Sequence, residues 1–249
     1  MPTGYQYEVY MSDELYHKFK KDDVDQFMEN DIYLPTRTIY MGSTYSDYYE
    51  GESGVDFSMA EQVIKTLHIL DNQDVESRKG NKPITIIMNN PGGEVYHGLA
   101  IYDAIRNCKN HVTIKVYGHA MSMGSWILQA ADQRIMTENS RIMIHYGYDG
   151  TNTHSKTFQK YALEGQKVNE LMENVFLEKI GDRKITQEEY LTLIGKEKQA
   201  LNLHVSSRRK LVEIDREKLE AMLNFDTFID AKMALKLNLI DEIENAKED

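Results

Sequence analysis

Apolar positions recur along this chain at two periods, and the change from one to the other marks out its elements. Residues 84–88, Ile-Thr-Ile-Ile-Met, are almost continuously apolar, and Val112-Thr-Ile-Lys-Val-Tyr117 alternates, so both segments predict strands. Arg141-Ile-Met-Ile144 predicts another short strand, and Thr38-Ile-Tyr-Met41 a short one near the start. Helical spacing separates them. Ala60, Val63, Ile64, Leu67 and Leu70 predict a helix to about residue 70, opened by a capping box of Ser58 and Glu61. Residues 71–82 read as a polar loop. Leu99, Ile101, Tyr102 and Ile105 mark a second helix, and Trp126, Ile127 and Ala130 a third behind a turn over residues 118–121.

Strands and helices alternating at this spacing predict an α/β domain with parallel strands. Beyond residue 150 the pattern is helical. Tyr161, Val168, Met172 and Val175, broadened by Leu171 and Phe176, predict one long helix over residues 155–180. Thr186 and Glu189 cap a shorter one. Residues 196–222 are densely charged but carry Leu211, Ile214, Leu219 and Met222, which predicts a solvated amphipathic helix. Residues 231–243 read as a helix, a turn at Asn238 and a closing strand.

Composition narrows the function. Of 249 residues, 41% are hydrophobic, enough for a sizeable core, and the net charge of −11 disfavours nucleic acid and anionic membrane surfaces alike. The lone Cys108 forms no internal disulfide, which fits a reducing compartment. The start of the chain lacks the basic and apolar stretches of a signal peptide, and apolar runs fall far short of the ~20 residues that span a bilayer. A cytoplasmic location is the expectation.

Three points at strand ends carry candidate chemistry. In Gly118-His-Ala-Met-Ser-Met-Gly124 a strand passes through small residues into a helix, leaving Ser122 exposed beside backbone N–H groups, as a nucleophile requires. Serine in this position is equally a helix cap. Asn90-Pro-Gly-Gly93 follows a buried strand, where paired glycines either make a tight turn or bring backbone close to a ligand. His145 ends an apolar strand, placed as a structural histidine or as a general base. Taken singly, each segment leaves both readings open.

In combination and order these segments resemble the proteolytic subunit of the Clp protease, the ClpP family. That family reads as a strand, an (Asn/Ser)-Pro-Gly-Gly turn, an Ile-Tyr-Asp helix, Gly-x-Ala-x-Ser-Met-Gly and Asn-Ser-Arg-x-Met-Ile-His. Here the blocks are Asn90-Pro-Gly-Gly93, Ile101-Tyr-Asp103, residues 118–124 and Asn139-Ser-Arg-Ile-Met-Ile-His145. The likeness thins outside residues 84–145 but continues in Thr36-Arg-Thr-Ile-Tyr-Met-Gly42, in the long helix and in Asn224-Phe-Asp-Thr-Phe-Ile-Asp-Ala231.

The resemblance implies a ClpP/crotonase-like stacked spiral of strand–helix units with a protruding handle helix. It implies Ser122 as nucleophile, His145 as general base and Asp226 as the carboxylate orienting the imidazole, with the backbone N–H groups of Gly93 and Met123 as the oxyanion hole. It implies a homo-oligomer of stacked heptameric rings degrading unfolded proteins in a chamber fed by a separate hexameric AAA+ unfoldase. No metal or other cofactor is expected. Rival residues are His119, Ser125, Asp230 and Asp149. On this reading residues 1–30 are an N-terminal extension and residues 31–249 the peptidase domain, with an insertion at 196–222. The insertion, the absence of the family's proline after His145, and Asn238 in place of glycine suit a divergent member, such as a virus-encoded one. A dedicated processing peptidase, such as a capsid-maturation protease, a crotonase-like acyl-CoA enzyme and a non-catalytic ring subunit are the alternatives.

Overall fold

The computed structural model describes residues 21–42, 44–46, 51–77, 82–147 and 153–245. The chain opens with α1 (Lys21–Asn30), β1 (Ile32–Tyr33), β2 (Thr38–Met41), and a small hairpin of β3 (Thr44–Ser46) and β4 (Gly51–Ser53). Strand–helix units follow: α2 (Phe57–Ser77), β5 (Ile84–Asn90), α3 (Val95–Arg106), β6 (Val112–Met121), α4 (Met123–Leu128), then β7 (Gln133–Thr137) and β8 (Arg141–Ile144). The long α5 (Ser155–Ile180) leads to β9 (Lys184–Thr186), α6 (Gln187–Leu193), α7 (Glu197–Asn202), α8 (Val205–Arg208), β10 (Leu211–Glu213) and α9 (Arg216–Leu223). The chain closes with β11 (Thr227–Asp230), α10 (Ala231–Lys236) and β12 (Glu242–Glu244).

The main sheet runs β1-β2-β5-β6-β7-β12, parallel from β2 onward, with β1 antiparallel at one edge. β6 serves two partners in turn. Its first half pairs with β7, and after Gly118 its second half, His119–Met121, pairs with β8. Gly118 has φ +76°, and a Cβ there would stand 2.5 Å from Asn89 Oδ1, so glycine permits both the bend and the close approach. β8 pairs antiparallel with β11, matching Thr227 with Ile144. Ile84, Ile86, Met88, Val112, Ile114 and Val116 fill the centre of the core. This is the mixed α/β fold with a mostly parallel sheet that the sequence predicts.

Several boundaries differ from expectation. α2 is capped by Asp56, whose carboxylate accepts from Met59 N–H at 2.9 Å, rather than by Ser58, and it runs on through the predicted polar loop to Ser77. Ser58 falls inside the first turn. β6 continues as strand through residues 118–121, because the register shift at Met88–Asn90 lets it follow β5 around the bend. β7 and β11 are additional strands. Residues 196–222 are not one amphipathic helix. Leu203 is extended, and the chain restarts at His204 and Asp215, each capping a new helix with its own side chain. Between them β10 pairs with β9, and Ile214, Leu219, Met222 and Leu223 are buried.

α5 and the capping box at Thr186 and Glu189 agree with the reading. The second half of α5 buries Met172, Val175, Phe176 and Ile180, while Phe158, Tyr161, Leu163 and Leu171 stay exposed. Asn238 takes φ +59° in the turn before β12, a conformation asparagine tolerates. Among the described residues no helix is long and apolar enough to cross a membrane.

Candidate active site

Ser122 joins β6 to α4 with φ +48° and ψ −122°, sparsely populated for a residue with a Cβ. Its N–H is held by the Met143 carbonyl at 2.9 Å, which fixes the turn against β8. The side chain makes no capping hydrogen bond to α4. Instead Ser122 Oγ lies 2.9 Å from His145 Nε2. The cap reading of this serine therefore fails, and the hydroxyl is committed to the imidazole.

His145 follows the last residue of β8, and Asp226 precedes the first residue of β11. Since Thr227 faces Ile144, the next rung of the ladder sets Asp226 opposite His145. His145 Nδ1 stands 3.0 Å from Asp226 Oδ1, so the ring is held at both nitrogens. The His145 side chain is only 13% exposed and that of Asp226 is 49% exposed.

The Asn90-Pro-Gly-Gly93 turn packs directly on this serine. A Cβ on Gly92 (φ +101°) would stand 2.5 Å from Ser122 Cβ, and one on Gly93 (φ +143°) would run into the Val55 backbone. Val55 N–H donates to the Gly92 carbonyl and the Glu94 N–H donates to the Val55 carbonyl, so the Gly93 N–H takes no part in this bridge. Met123, the first residue of α4, has no intrahelical acceptor for its N–H. Asn90, which opens the Asn90-Pro-Gly-Gly93 turn, is fully buried. Its Oδ1 accepts from Gly92 N–H at 2.9 Å and so sets the turn's geometry, a role the motif's glycines alone do not reveal.

The rivals take other roles. Ser125 is buried and donates to the Ser122 carbonyl at 2.6 Å. His119 lies on β6 opposite Arg141, with no hydrogen bond to its Nε2. His97 sits 3.4 Å from Glu94, and His154 caps α5. Asp230 caps α10, accepting from Met233 N–H at 2.8 Å. Asp149 lies outside the described residues. Burial pushes the Cys108 thiol up to about 11, and its Sγ donates to Asp71 at 3.5 Å, so it offers no thiolate at neutral pH.

The arrangement can do nucleophilic acyl chemistry: a hydroxyl hydrogen-bonded to an imidazole whose other ring nitrogen meets a carboxylate. A family model described as "Clp protease" matches residues 50–192, a stretch that includes Gly93, Ser122 and His145 and stops before Asp226. The chain is also similar to the "ATP-dependent Clp protease proteolytic subunit" of Deinococcus radiodurans. The two are 31% identical over 218 residues, covering 86% of this chain and 84% of that relative.

Proposed function

The chain belongs to the Clp protease family, and from that premise we propose that it is a serine endopeptidase using Ser122, His145 and Asp226. As a member of this family it is a ClpP-type peptidase, a hydrolase. The observation that carries the serine mechanism is the unbroken run of hydrogen bonds from Ser122 Oγ through both ring nitrogens of His145 to Asp226.

In the proposed reaction Ser122 Oγ attacks the scissile carbonyl while His145 Nε2 takes its proton. Asp226 accepts from Nδ1–H, selects the tautomer with a free Nε2 lone pair and stabilises the imidazolium that forms. The N–H groups of Gly93 and Met123 receive the developing oxyanion. His145 then protonates the leaving amine, and water, activated by the same base, hydrolyses the acyl-enzyme.

We further propose a cytoplasmic homo-oligomer of stacked heptameric rings, with residues 31–249 as the peptidase domain and residues 1–30 as an extension. Substrates would be unfolded polypeptides delivered by a separate hexameric AAA+ unfoldase. The exposed Phe158, Tyr161, Leu163 and Leu171 on α5 support association, since this many large apolar side chains left in water on one helix is unfavourable. One sample tests chemistry and architecture together: native mass, with fluorophosphonate labelling and its site. Labelling at Ser122 of an oligomer, abolished in an assembled Ser122→Ala protein, is expected. Labelling at Ser125, or a stable unlabelled monomer, would refute the reading.

A further inference from the structure

A polar network centred on one buried carboxylate lies directly behind His145. Tyr146, the next residue, donates its hydroxyl to Glu173 Oε1 at 2.7 Å. Glu173 belongs to α5, and its side chain is only 8% exposed. Its other oxygen pairs with Arg216, the first residue of α9, whose second terminal nitrogen donates to Asn174 Oδ1 at 2.6 Å. The far end of α9 reaches the same tyrosine, because Tyr146 N–H donates to the Leu223 carbonyl at 2.8 Å. Tyr146 is thus held at its backbone and at its hydroxyl by opposite ends of one helix, with Glu173 as the link.

That helix matters for its position. α9 follows the exposed helices α7 and α8 and strand β10, and three residues beyond Leu223 comes Asp226. One connected set of bonds therefore ties the residue after His145 to the element that delivers the orienting carboxylate. A buried carboxylate is unfavourable unless paired, and an apolar set of the same volume would stabilise the fold at least as well. The network also borders a cleft of about 440 Å³, lined among others by Gln166, Asn169 and Glu220, rather than the apolar core. Burial, with the Glu173 carboxylate beside it, raises the Tyr146 phenol above its ordinary range, so the hydroxyl remains a donor throughout the working pH of a histidine base.

We propose that Tyr146, Glu173 and Arg216 are positioning residues that hold the chain at His145 so that its ring meets Ser122 and Asp226 at once. The inference builds on the serine-peptidase reading and adds to it a device carried by α5 and α9. Neither Tyr146, Glu173 nor Arg216 touches the reacting atoms. Loss of the network should act on the chemical step and leave peptide binding alone.

The test uses the assembled full-length protein and a fluorogenic peptide, comparing wild type with Tyr146→Phe, Glu173→Gln and the double variant across pH. Tyr146→Phe keeps the ring and the backbone bond to Leu223, so it guards against simple unfolding. Both single variants should lower kcat by about 10- to 100-fold with KM within about twofold, as small displacements of a reacting group do. The rate of fluorophosphonate labelling should fall in step, and the double variant should be no worse than Glu173→Gln, since both remove one device. Wild-type kcat and labelling in Tyr146→Phe, or losses explained wholly by lower native mass or melting temperature, would overturn the inference alone. A wild-type protein unlabelled at Ser122 would overturn the peptidase reading, and this inference with it.

Discussion

Gly92 and Ser122 are in backbone-to-side-chain contact: a Cβ on Gly92 would lie 2.5 Å from Ser122 Cβ and 2.8 Å from the Met121 carbonyl oxygen. The glycine also sits at φ +101°, so a methyl group there meets both a clash and backbone strain. The Asn90–Gly93 turn and the turn that carries Ser122 are consequently one packed unit.

Gly92→Ala should therefore abolish peptide cleavage while the sheet below remains folded. Rates on a fluorogenic peptide, with circular dichroism on the same sample, check this. Activity within threefold of wild type would mean that the two turns adjust independently.

Asp226 and Asp230 should separate cleanly. Asp226→Asn keeps the shape but favours the wrong imidazole tautomer, and turnover is expected to fall by about 10³–10⁴. The Asp230 carboxylate accepts from Met233 N–H as a helix cap, and asparagine caps nearly as well, so Asp230→Asn should leave both turnover and stability close to wild type. Asp230→Ala should cost about 1 kcal/mol in a denaturant titration without changing kcat.

Assembly should depend on the exposed half of α5. Met172 packs into the chain's own core, so replacing it would harm folding rather than association. Phe158 and Tyr161, one turn apart on the outer surface, are the better probes. Phe158→Glu with Tyr161→Glu should reduce the native mass to smaller species with an unchanged far-ultraviolet spectrum. Retention of the wild-type mass would place the contact elsewhere.

Acid stability should carry the signature of Asp241. Its carboxylate receives Arg134 Nε at 2.9 Å and Nη2 at 2.7 Å, with the Arg134 side chain 7% exposed. Burial alone would raise the Asp241 carboxyl, but the hydrogen bonds and charge of Arg134 outweigh it and hold the group below its ordinary 3.8. A depressed native value means that the unfolded chain binds the proton more readily, so this stability is present above 3.8 and is lost as pH falls through the native value. Asp241→Asn should cost about 2 kcal/mol at neutral pH, less than the roughly 3–5 kcal/mol of breaking a fully buried pair because the Asp241 side chain is 36% exposed. In urea titrations across pH, the gap between wild type and variant should narrow below about pH 4. A constant gap would mean that the pair contributes shape rather than charge.

The parts of the fold that were legible in the sequence are those set by local pattern. β5, α3, β8 and α5 each repeat apolar residues at their own period over enough residues to declare it. β7 was not legible, because only Ile135 and Met136 of its five residues are apolar, and its buried Arg134 is satisfied by Asp241, 107 positions away. Residues 196–222 were misread for a related reason: their charges are local, but the burial of Leu219 and Met222 is created by distant partners. In the site, pattern alone left Ser122 between a cap and a nucleophile. The geometry that separates those readings is a bond to His145, which has no trace in the spacing around residue 122. Tyr146 and Glu173 gave no signal, since their relationship spans 27 positions and runs through a helix end.

The pairing of β8 with β11 makes the distance between His145 and Asp226 a property of a two-strand clasp, steadied by the bonds around Tyr146 and Glu173, rather than of the length of chain between them. Between α6 and β10 the chain leaves that framework as two short, mostly exposed helices, α7 and α8. Lengthening such an excursion is thermodynamically mild, about 0.6 kcal/mol for each doubling of a flexible loop. Natural variation can therefore spend this region on new surfaces while the rung that aligns carboxylate and imidazole stays where it is. The same property makes the tip between α7 and α8 a rational place to open the chain for a circular permutation or an inserted reporter domain.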